Sequence, residues 1–353
     1  MIQSALFHLF GLRFLRYQRR FDRRNGFVGE RAALLEVLEN RSPLPIPWLR
    51  VESRISRHLQ FGKPDKSDDH EINADMYHRS LFFLAGFSRI TRRHSIQLRH
   101  RGYFSASSVA ITSGDLFGFR IESHRMDTGA VIAVYPKLLS DSQIPSMCRM
   151  FLGNVLVKRY ILPDPYLMNG VRVYQPGDTE REVNWRASAR MGELCVNTHD
   201  FSADPCLMVV LNVQLQEHQW GDLSDVQMEH VEHSVSLAAT LCINGLEGAA
   251  KVGFAANTDT KQYEHQCVFA APARSSEQAD ALLTLFSQLT LRRTLNFYTF
   301  LSELELPEDA DVLVLSPYSS DHIMDAMEAL RLRGHNMLLQ ILEGSADHEA
   351  MSA

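Results

Sequence analysis

The chain has 353 residues, with 36 lysines and arginines against 42 aspartates and glutamates, a formal net charge of −6. That balance speaks against a nucleic-acid binder, which needs a basic surface for the phosphates, while 45% apolar and 22% charged residues are ordinary for a soluble globular protein. The length leaves room for two domains, each with its own core, and the five cysteines (Cys148, Cys195, Cys206, Cys242, Cys267) lack C-x-x-C spacing, which suits reduced, buried thiols and excludes a cysteine-rich zinc site.

Residues 1–26 open with an apolar run, Ile2, Leu6, Phe7, Leu9, Phe10, Leu12, Phe14 and Leu15, interleaved with and followed by Arg13, Arg16, Arg19, Arg20, Arg23 and Arg24. No apolar stretch reaches the roughly 20 residues that cross a bilayer as a helix, and no small-residue cleavage site follows this one. The pattern predicts a basic amphipathic helix. It would lie either on an anionic membrane surface or against protein.

Residues 27–136 predict a β-sandwich domain of short strands. Strands are expected at Arg31–Leu38, Trp48–Ile55, Ser80–Ile90, His94–His100, Tyr103–Ile111 and Ala130–Tyr135. Pro43, Pro45 and Pro47 suit an edge strand or an extended crossing and not a central strand. Asp115, in the turn Gly114–Phe119, reads as a turn cap. Arg89, Arg92, Arg93, His94, Arg99, His100 and Arg101 form a basic cluster without interleaved aromatics, which points to a solvated sheet face or partner contact rather than a nucleic-acid stripe.

Residues 137–203 form a connector, with a short helix near Met150, followed by the charged segment Val171–Leu194. That segment reads as strand, turn at Pro176-Gly177 and short helix. Charges this dense do not make an independent core, so it is expected between domains. Arg172, Arg181 and Arg190 would pair with Asp178, Glu182 or a neighbouring surface, and Trp185 with Ala187 or Ala189 would face inward. The competing reading is a solvated amphipathic helix.

Residues 204–345 change texture. The apolar run Leu207–Val213 is a strand buried on both faces. A helix follows through Met228, Val231, Val235, Ala238 and Cys242, ending at Gly245 or Gly248. Then come a strand at Lys251–Ala255, a helix through Ala279–Leu289, a strand at Val312–Leu315, a helix through Ile323, Met327 and Leu330, and a strand at Met337–Leu342. Alternation of this kind implies an open, mostly parallel α/β sheet covered on both faces. Residues 346–353 form a tail.

Catalytic signatures are missing from the sequence. It holds no Walker-type loop, no G-x-G-x-x-G after a strand and no G-x-S-x-G elbow. Ser188, between Arg186 and Arg190, reads as a cap or hydrogen-bond donor rather than a nucleophile. His230 and His233 share a helix face beside Glu229 and Glu232, a two-ligand geometry with no third ligand, and read as a surface pair.

Tyr174-Gln175-Pro176-Gly177-Asp178, Arg181, Asn184-Trp185, Ser188-Ala189-Arg190 and Leu194 resemble the signature of the bacterial domain of unknown function 58 family. Arg101-Gly102-Tyr103-Phe104 with Gly114–Gly118 matches a second pattern of that family. The resemblance implies a two-domain α+β protein, with an immunoglobulin-like β-sandwich followed by a von Willebrand factor A-like (Rossmann-like) α/β domain. In such domains an Asp-x-Ser-x-Ser motif after the first strand holds a divalent metal. Here Asn212, Gln214 and Gln216 stand at those positions, and neutral amides bind Mg²⁺ weakly, so neither metal nor cofactor is expected. Family members commonly carry transmembrane helices before this point, so the chain is expected to be a soluble branch or to have lost an upstream membrane segment. The resemblance further implies a non-enzymatic accessory factor that works with an AAA+ ATPase of the MoxR type in maturing protein complexes. The expected location is cytoplasmic, with peripheral attachment to the inner membrane as the alternative. Asp178, Arg181, Trp185, Ser188 and Arg190, with Arg172 and Tyr174 behind them, are the expected joint or binding residues, and a hydrolase using the carboxylates near Asp178 or the Glu229–His233 group is the remaining alternative.

Overall fold

The computed structural model describes residues 12–56, 58–61, 76–106, 108–114, 121–158, 163–201, 205–219, 223–308 and 310–342. The chain divides into two units, Met1–Lys137 with Leu283–Gln288, and Leu138–Leu282 with Leu289–Ala353.

The first unit is β-rich. Its strands are β1 (Leu15–Phe21), β2 (Asn25–Phe27), β3 (Arg31–Asn40), β4 (Ile46–Ile55), β5 (Leu59–Phe61), β6 (Met76–Leu84), β7 (Arg89–Leu98), β8 (Gly102–Ser105), β9 (Ser108–Gly114), β10 (Ile121–Asp127) and β11 (Val131–Tyr135). They form three sheets, ordered β1-β3-β7-β5, β10-β9-β4-β6 and β2-β11-β8. The inward residues of the first sheet pack in two directions. Phe21, Leu34, Ile96 and Leu98 meet Phe104, Ile132 and Val134 of the third sheet. Tyr17 and Leu38 meet Leu49, Val51, Phe82, Val109 and Ile111 of the second. Both sets leave the same face of the first sheet at different points along its strands, since alternate side chains share a face.

Several expectations are corrected here. Residues 15–21 are strand β1 rather than part of an amphipathic helix, because Tyr17, Arg19 and Phe21 alternate inward and pair antiparallel with β3; the apolar residues 1–11 lie outside the described residues. Arg19 is buried, and this disguises the period of two. Pro47 lies in β4, a central strand between β9 and β6. A register shift between Ile46 and Leu49 takes it out of the ladder, so its missing N–H breaks no pairing there. The run Ser80–Ile90 is two strands, divided by a turn in which Phe87 has φ 51°. Tyr103–Ile111 is likewise divided between β8 and β9, and β10 is an additional strand. Asp115 and Phe119 lie outside the described residues.

The second unit is α/β. Its elements are α1 (Ser146–Lys158), β12 (Pro163–Val173), α2 (Trp185–Met191), β13 (Cys195–Phe201), β14 (Cys206–Leu211), α3 (Asp225–Glu247), β15 (Lys251–Ala256), β16 (Thr258–Thr260), β17 (Val268–Ala273), α4 (Ser276–Gln288, of which Leu283–Gln288 group with the first unit), β18 (Leu289–Arg293), α5 (Phe297–Glu303), β19 (Asp311–Ser316), α6 (Asp321–Leu332) and β20 (Asn336–Ile341). The main sheet runs β17-β15-β14-β19-β20, parallel except for the antiparallel edge strand β17. Numbered in chain order this is 3-2-1-4-5, so the connections reverse direction between β14 and β19.

Both faces of β14 are covered, which is why its sequence is continuously apolar. Met208 and Val210 pack with Phe297, Phe300, Leu301, Ile323 and Met327 of α5 and α6. Leu207 faces the other way, against α3. There Gly245 permits the close approach, since a Cβ on it would lie 2.9 Å from Val252 and 3.0 Å from Leu207. The helix therefore runs through Gly245 and stops at Gly248, whose N–H caps it. All five cysteines are free thiols; burial pushes Cys148 up to about 11 and Cys242 higher still, which keeps both protonated and unreactive.

One polar cluster lies inside the first unit. Glu36 sits in the inward row of β3, its side chain fully buried with that of Arg19, Nε to Oε1 at 3.6 Å. Tyr17 Oη donates to Glu36 Oε1 at 2.9 Å, and His94 Nε2 is 3.0 Å from Oε2. Nε and Nη2 of Arg19 make no hydrogen bond, so its charge depends on Glu36. Burial alone would raise the Glu36 carboxyl, but His94, Arg19 and Tyr17 outweigh it and hold the group below its ordinary range. A carboxylate depressed in the folded state stabilises the fold above its unfolded pKa of about 4.3, and this contribution is lost as pH falls through the lower folded value. Glu36→Gln is expected to destabilise the protein by about 3–5 kcal/mol, as for one partner removed from a buried pair. Urea unfolding from pH 3 to 7 would show a stability difference that is largest at neutral pH and shrinks on acidification.

Candidate functional site

The charged signature folds as a hairpin within the second unit. β12 and β13 pair antiparallel from Val173↔Cys195 outward, and the intervening chain makes a turn, a single 3₁₀ turn at Glu180–Glu182 and α2. Its polar residues build this local structure. Arg172 grips Asp178 with both terminal nitrogens, at 2.7 and 2.6 Å, and Asp178 Oδ2 also accepts the Gln175 N–H at 2.8 Å. These bonds, that from Arg172 first, hold the Asp178 carboxyl below its usual range.

Asn184 caps α2 by accepting the Ala187 N–H at 3.0 Å, and Gly192 closes the helix at φ 75°. Ser188 Oγ donates to Asn184 O at 2.8 Å and accepts from Cys195 N at 2.9 Å, which ties α2 to β13. Its hydroxyl has a structural role. Arg181 and Arg190 are exposed, and Tyr174 is half-buried.

Trp185 corrects an expectation. It does not face inward but is 70% exposed, and Met191 is 64% exposed, with Val171, Val173 and Leu194 also open. A seven-residue helix set on a two-stranded ribbon has one side to bury, and Ser188 and Asn184 take that side.

At the carboxyl end of the main sheet, Asn212, Gln214 and Gln216 follow β14. Asn212 Nδ2 donates to Ser316 Oγ, at the end of β19, at 3.0 Å. Asn212 Oδ1 accepts the Gln214 N–H at 2.9 Å and Asn257 Nδ2, beyond β15, at 3.2 Å. Asn257 Oδ1 in turn accepts the Val213 N–H at 2.9 Å. Gln214 Nε2 donates to Gln216 O and Glu217 O at 2.8 and 2.5 Å, and Gln214 Oε1 accepts the Phe297 N–H at 3.3 Å. Asn212 and Gln214 are buried and occupied by protein groups. Gln216 is exposed. No group of three or more His, Cys, Asp or Glu side chains suited to a metal occurs among the described residues.

Beside this network a crevice of about 1140 Å³ opens at the strand ends, lined by Gln216, Pro317 and Gln340 and by Arg149, Glu229, His230 and His233 from α1 and α3. It lies at the reversal of strand order, where open α/β sheets bind ligands. Partial burial of the His233 ring, and after it the neighbouring His230, lowers the His233 pKa, which favours the neutral form of that ring.

Residues 170–340 match the family described as "Protein of unknown function DUF58". This region, just under half of the chain, belongs to the DUF58 family. The chain is 20% identical over 255 residues to the uncharacterized protein YeaD of Bacillus subtilis (strain 168), a match covering 72% of this chain and 59% of that protein. The chain thus spans about three fifths of that relative's length. Among solved structures, the CARDB domain of the PF1109 protein from Pyrococcus furiosus aligns at 10% identity over 34% of this chain and 94% of that domain, with TM-score 0.22. The alkylpurine DNA glycosylase AlkC of Pseudomonas fluorescens aligns at 15% identity over 37% of this chain and 34% of that protein, with TM-score 0.21.

The DUF58 match begins on β12 and ends on β20, so it takes in both the hairpin and the amide network. Sequence reasoning reached Asn212 and Gln214 but missed Asn257 and Ser316. Each stands one residue beyond or at the last position of a parallel strand, and this placement was the available signal. Asn212→Ala removes a buried group that satisfies the Gln214 N–H, Asn257 and Ser316. A loss of about 2–4 kcal/mol is expected, measured by chemical denaturation, with α-helical circular dichroism retained at low denaturant.

Proposed function

We propose that this DUF58 protein is a non-enzymatic interaction subunit that captures a partner protein through its signature hairpin. The observation that carries the reading is the division of labour in residues 171–194. The polar signature residues Arg172, Asp178, Asn184 and Ser188 hold the hairpin together, whereas Trp185, Met191, Val171, Val173 and Leu194 face solvent. Exposed tryptophan with flanking apolar side chains and arginines is the composition of a binding hot spot. Nucleophile chemistry at Ser188 is disfavoured by its two backbone bonds.

The partner class suggested by the family resemblance is an AAA+ ATPase of the MoxR type, with the chain assisting maturation of other complexes. The finer fold assignments belong to the same reading. Packing of the first sheet against two others supports an immunoglobulin-like sandwich, and the 3-2-1-4-5 order with Asn212, Gln214 and Gln216 after the first strand supports a degenerate von Willebrand factor A-like domain. In that domain the amide network replaces the metal as the tie between loops.

Capture experiments with the purified MoxR-type ATPase of the same organism, with and without ATP, test the proposal. Wild type is expected to bind in a nucleotide-dependent way. Trp185→Ala is expected to weaken capture by about 30-fold, corresponding to roughly 2 kcal/mol at a hot spot, with an unchanged melting temperature. Equal capture by the Trp185→Ala variant, or no capture in either nucleotide state, would remove the hairpin reading.

A further inference from the structure

Two basic stretches far apart in sequence meet on one sheet. In the register of β1, β3 and β7, Arg16 lies opposite Glu39, which lies opposite Arg89. Four residues along, Arg20 lies opposite Leu35, which lies opposite Arg93. Between these rows stand Gln18, Val37 and Thr91. Side chains of one parity share one face of a sheet, so the four arginines project from the same face, opposite the face that carries Tyr17, Leu34, Leu38 and Ile96 into the core. All four are exposed. With strands about 4.8 Å apart and about 3.4 Å per residue, their Cα atoms mark the corners of a rectangle about 10 by 14 Å.

The acidic groups nearby are few and engaged. Glu39 binds Arg41 through Nε at 2.9 Å and Nη2 at 3.3 Å, and Arg16 and Arg89 flank it closely enough to contribute to the lowering of its carboxyl pKa. Asp22 accepts the Ala33 N–H at 2.9 Å and is 3.4 Å from Arg93. The remaining arginine of the β7 run is used elsewhere, since Arg92 lies 4.1 Å over the Phe82 ring. A face of net positive charge thus stands on a chain whose total charge is −6.

We propose that the outer face of the β1-β3-β7 sheet, carrying Arg16, Arg20, Arg89 and Arg93, docks on an anionic phospholipid surface. The occupant follows from charge and shape. A flat array of guanidinium groups matches a plane of phosphate head groups, each guanidinium offering several donors to phosphate oxygens. The half-buried Leu35 and Val37 between the rows tolerate an interfacial environment. A nucleic acid fits less well, because a flat sheet face enters neither groove and the positions between the arginine rows, Gln18, Val37 and Thr91, offer no aromatic ring to stack on bases. This surface is made by the first unit and the signature hairpin by the second, so the proposal does not rest on the partner-capture reading.

The test is co-sedimentation of the full chain with vesicles of equal parts phosphatidylglycerol and phosphatidylcholine, with pure phosphatidylcholine vesicles alongside. Wild type is expected to bind the anionic vesicles only and to be released as salt screens the charges. Arg16→Gln with Arg20→Gln is expected to weaken partitioning roughly 30-fold, at about 1 kcal/mol per arginine near the surface. Arg89→Gln with Arg93→Gln, on a different strand, should do the same, which keeps the result interpretable if one pair disturbs folding. Arg186→Gln with Arg190→Gln, on α2, is expected to leave binding unchanged. Equal binding to neutral vesicles, undiminished binding by both face pairs, equal loss in the α2 pair, or displacement from vesicles by duplex DNA would each overturn the proposal.

Discussion

The α/β unit depends on a tie made by neutral groups where three parallel strands end. Asn212 bridges the loop after β14 to Asn257 beyond β15 and Ser316 at the end of β19. Strand ends in an open sheet leave backbone N–H groups without ladder partners, and the loops there must be held by something. The Gln214 and Val213 N–H groups are satisfied by Asn212 and Asn257, and Gln214 binds the carbonyls of its own loop and the first N–H of α5. A carboxylate at position 212 would need a cation or a shifted pKa to lie so deep. An amide has a donor and an acceptor and needs neither, so the loops converge without a charge at their centre.

This arrangement also accounts for the character of the crevice beside it. The groups lining its α3 wall, Glu229, His230 and His233, are not recruited into the amide network. The fixed loop positions Gln216 and Pro317 against them. Stability and exposed chemistry are therefore divided between adjacent residues. The hairpin repeats that division at a second place, with Arg172, Asp178 and Ser188 fixing the scaffold that displays Trp185.

Much of the α/β unit was legible from sequence, because its strands are continuously apolar and its longer helices periodic. The apolar run beginning at Leu207 and the helix through Val231 and Val235 carry both signals in full. What escaped was short or compensated. Strand β1 hides its period of two because the inward position 19 holds an arginine neutralised by Glu36, a partner 17 residues away that no local pattern can announce. Pro47 sits in a central strand because a register shift relieves it of a hydrogen bond, and such a shift has no signature beyond the proline itself. Trp185 was expected to face inward because the charged segment was placed between domains, but burial depends on what surrounds a side chain. Nothing within a seven-residue helix supplies a pocket for an indole.

The sheet edges of the first unit are unequal in a way that matters for solubility. Strand β1 ends its sheet with Arg16 and Arg20 on the outward face and the buried Arg19 facing in, while β6 ends the neighbouring sheet with exposed Leu81 and Phe83. Charged edge strands resist strand addition by another chain, whereas apolar ones invite it. Self-association, where it occurs, should start from β6. The arginines that shape the outward face of β1 also act there as gatekeepers against stacking of one molecule's sheet onto the next.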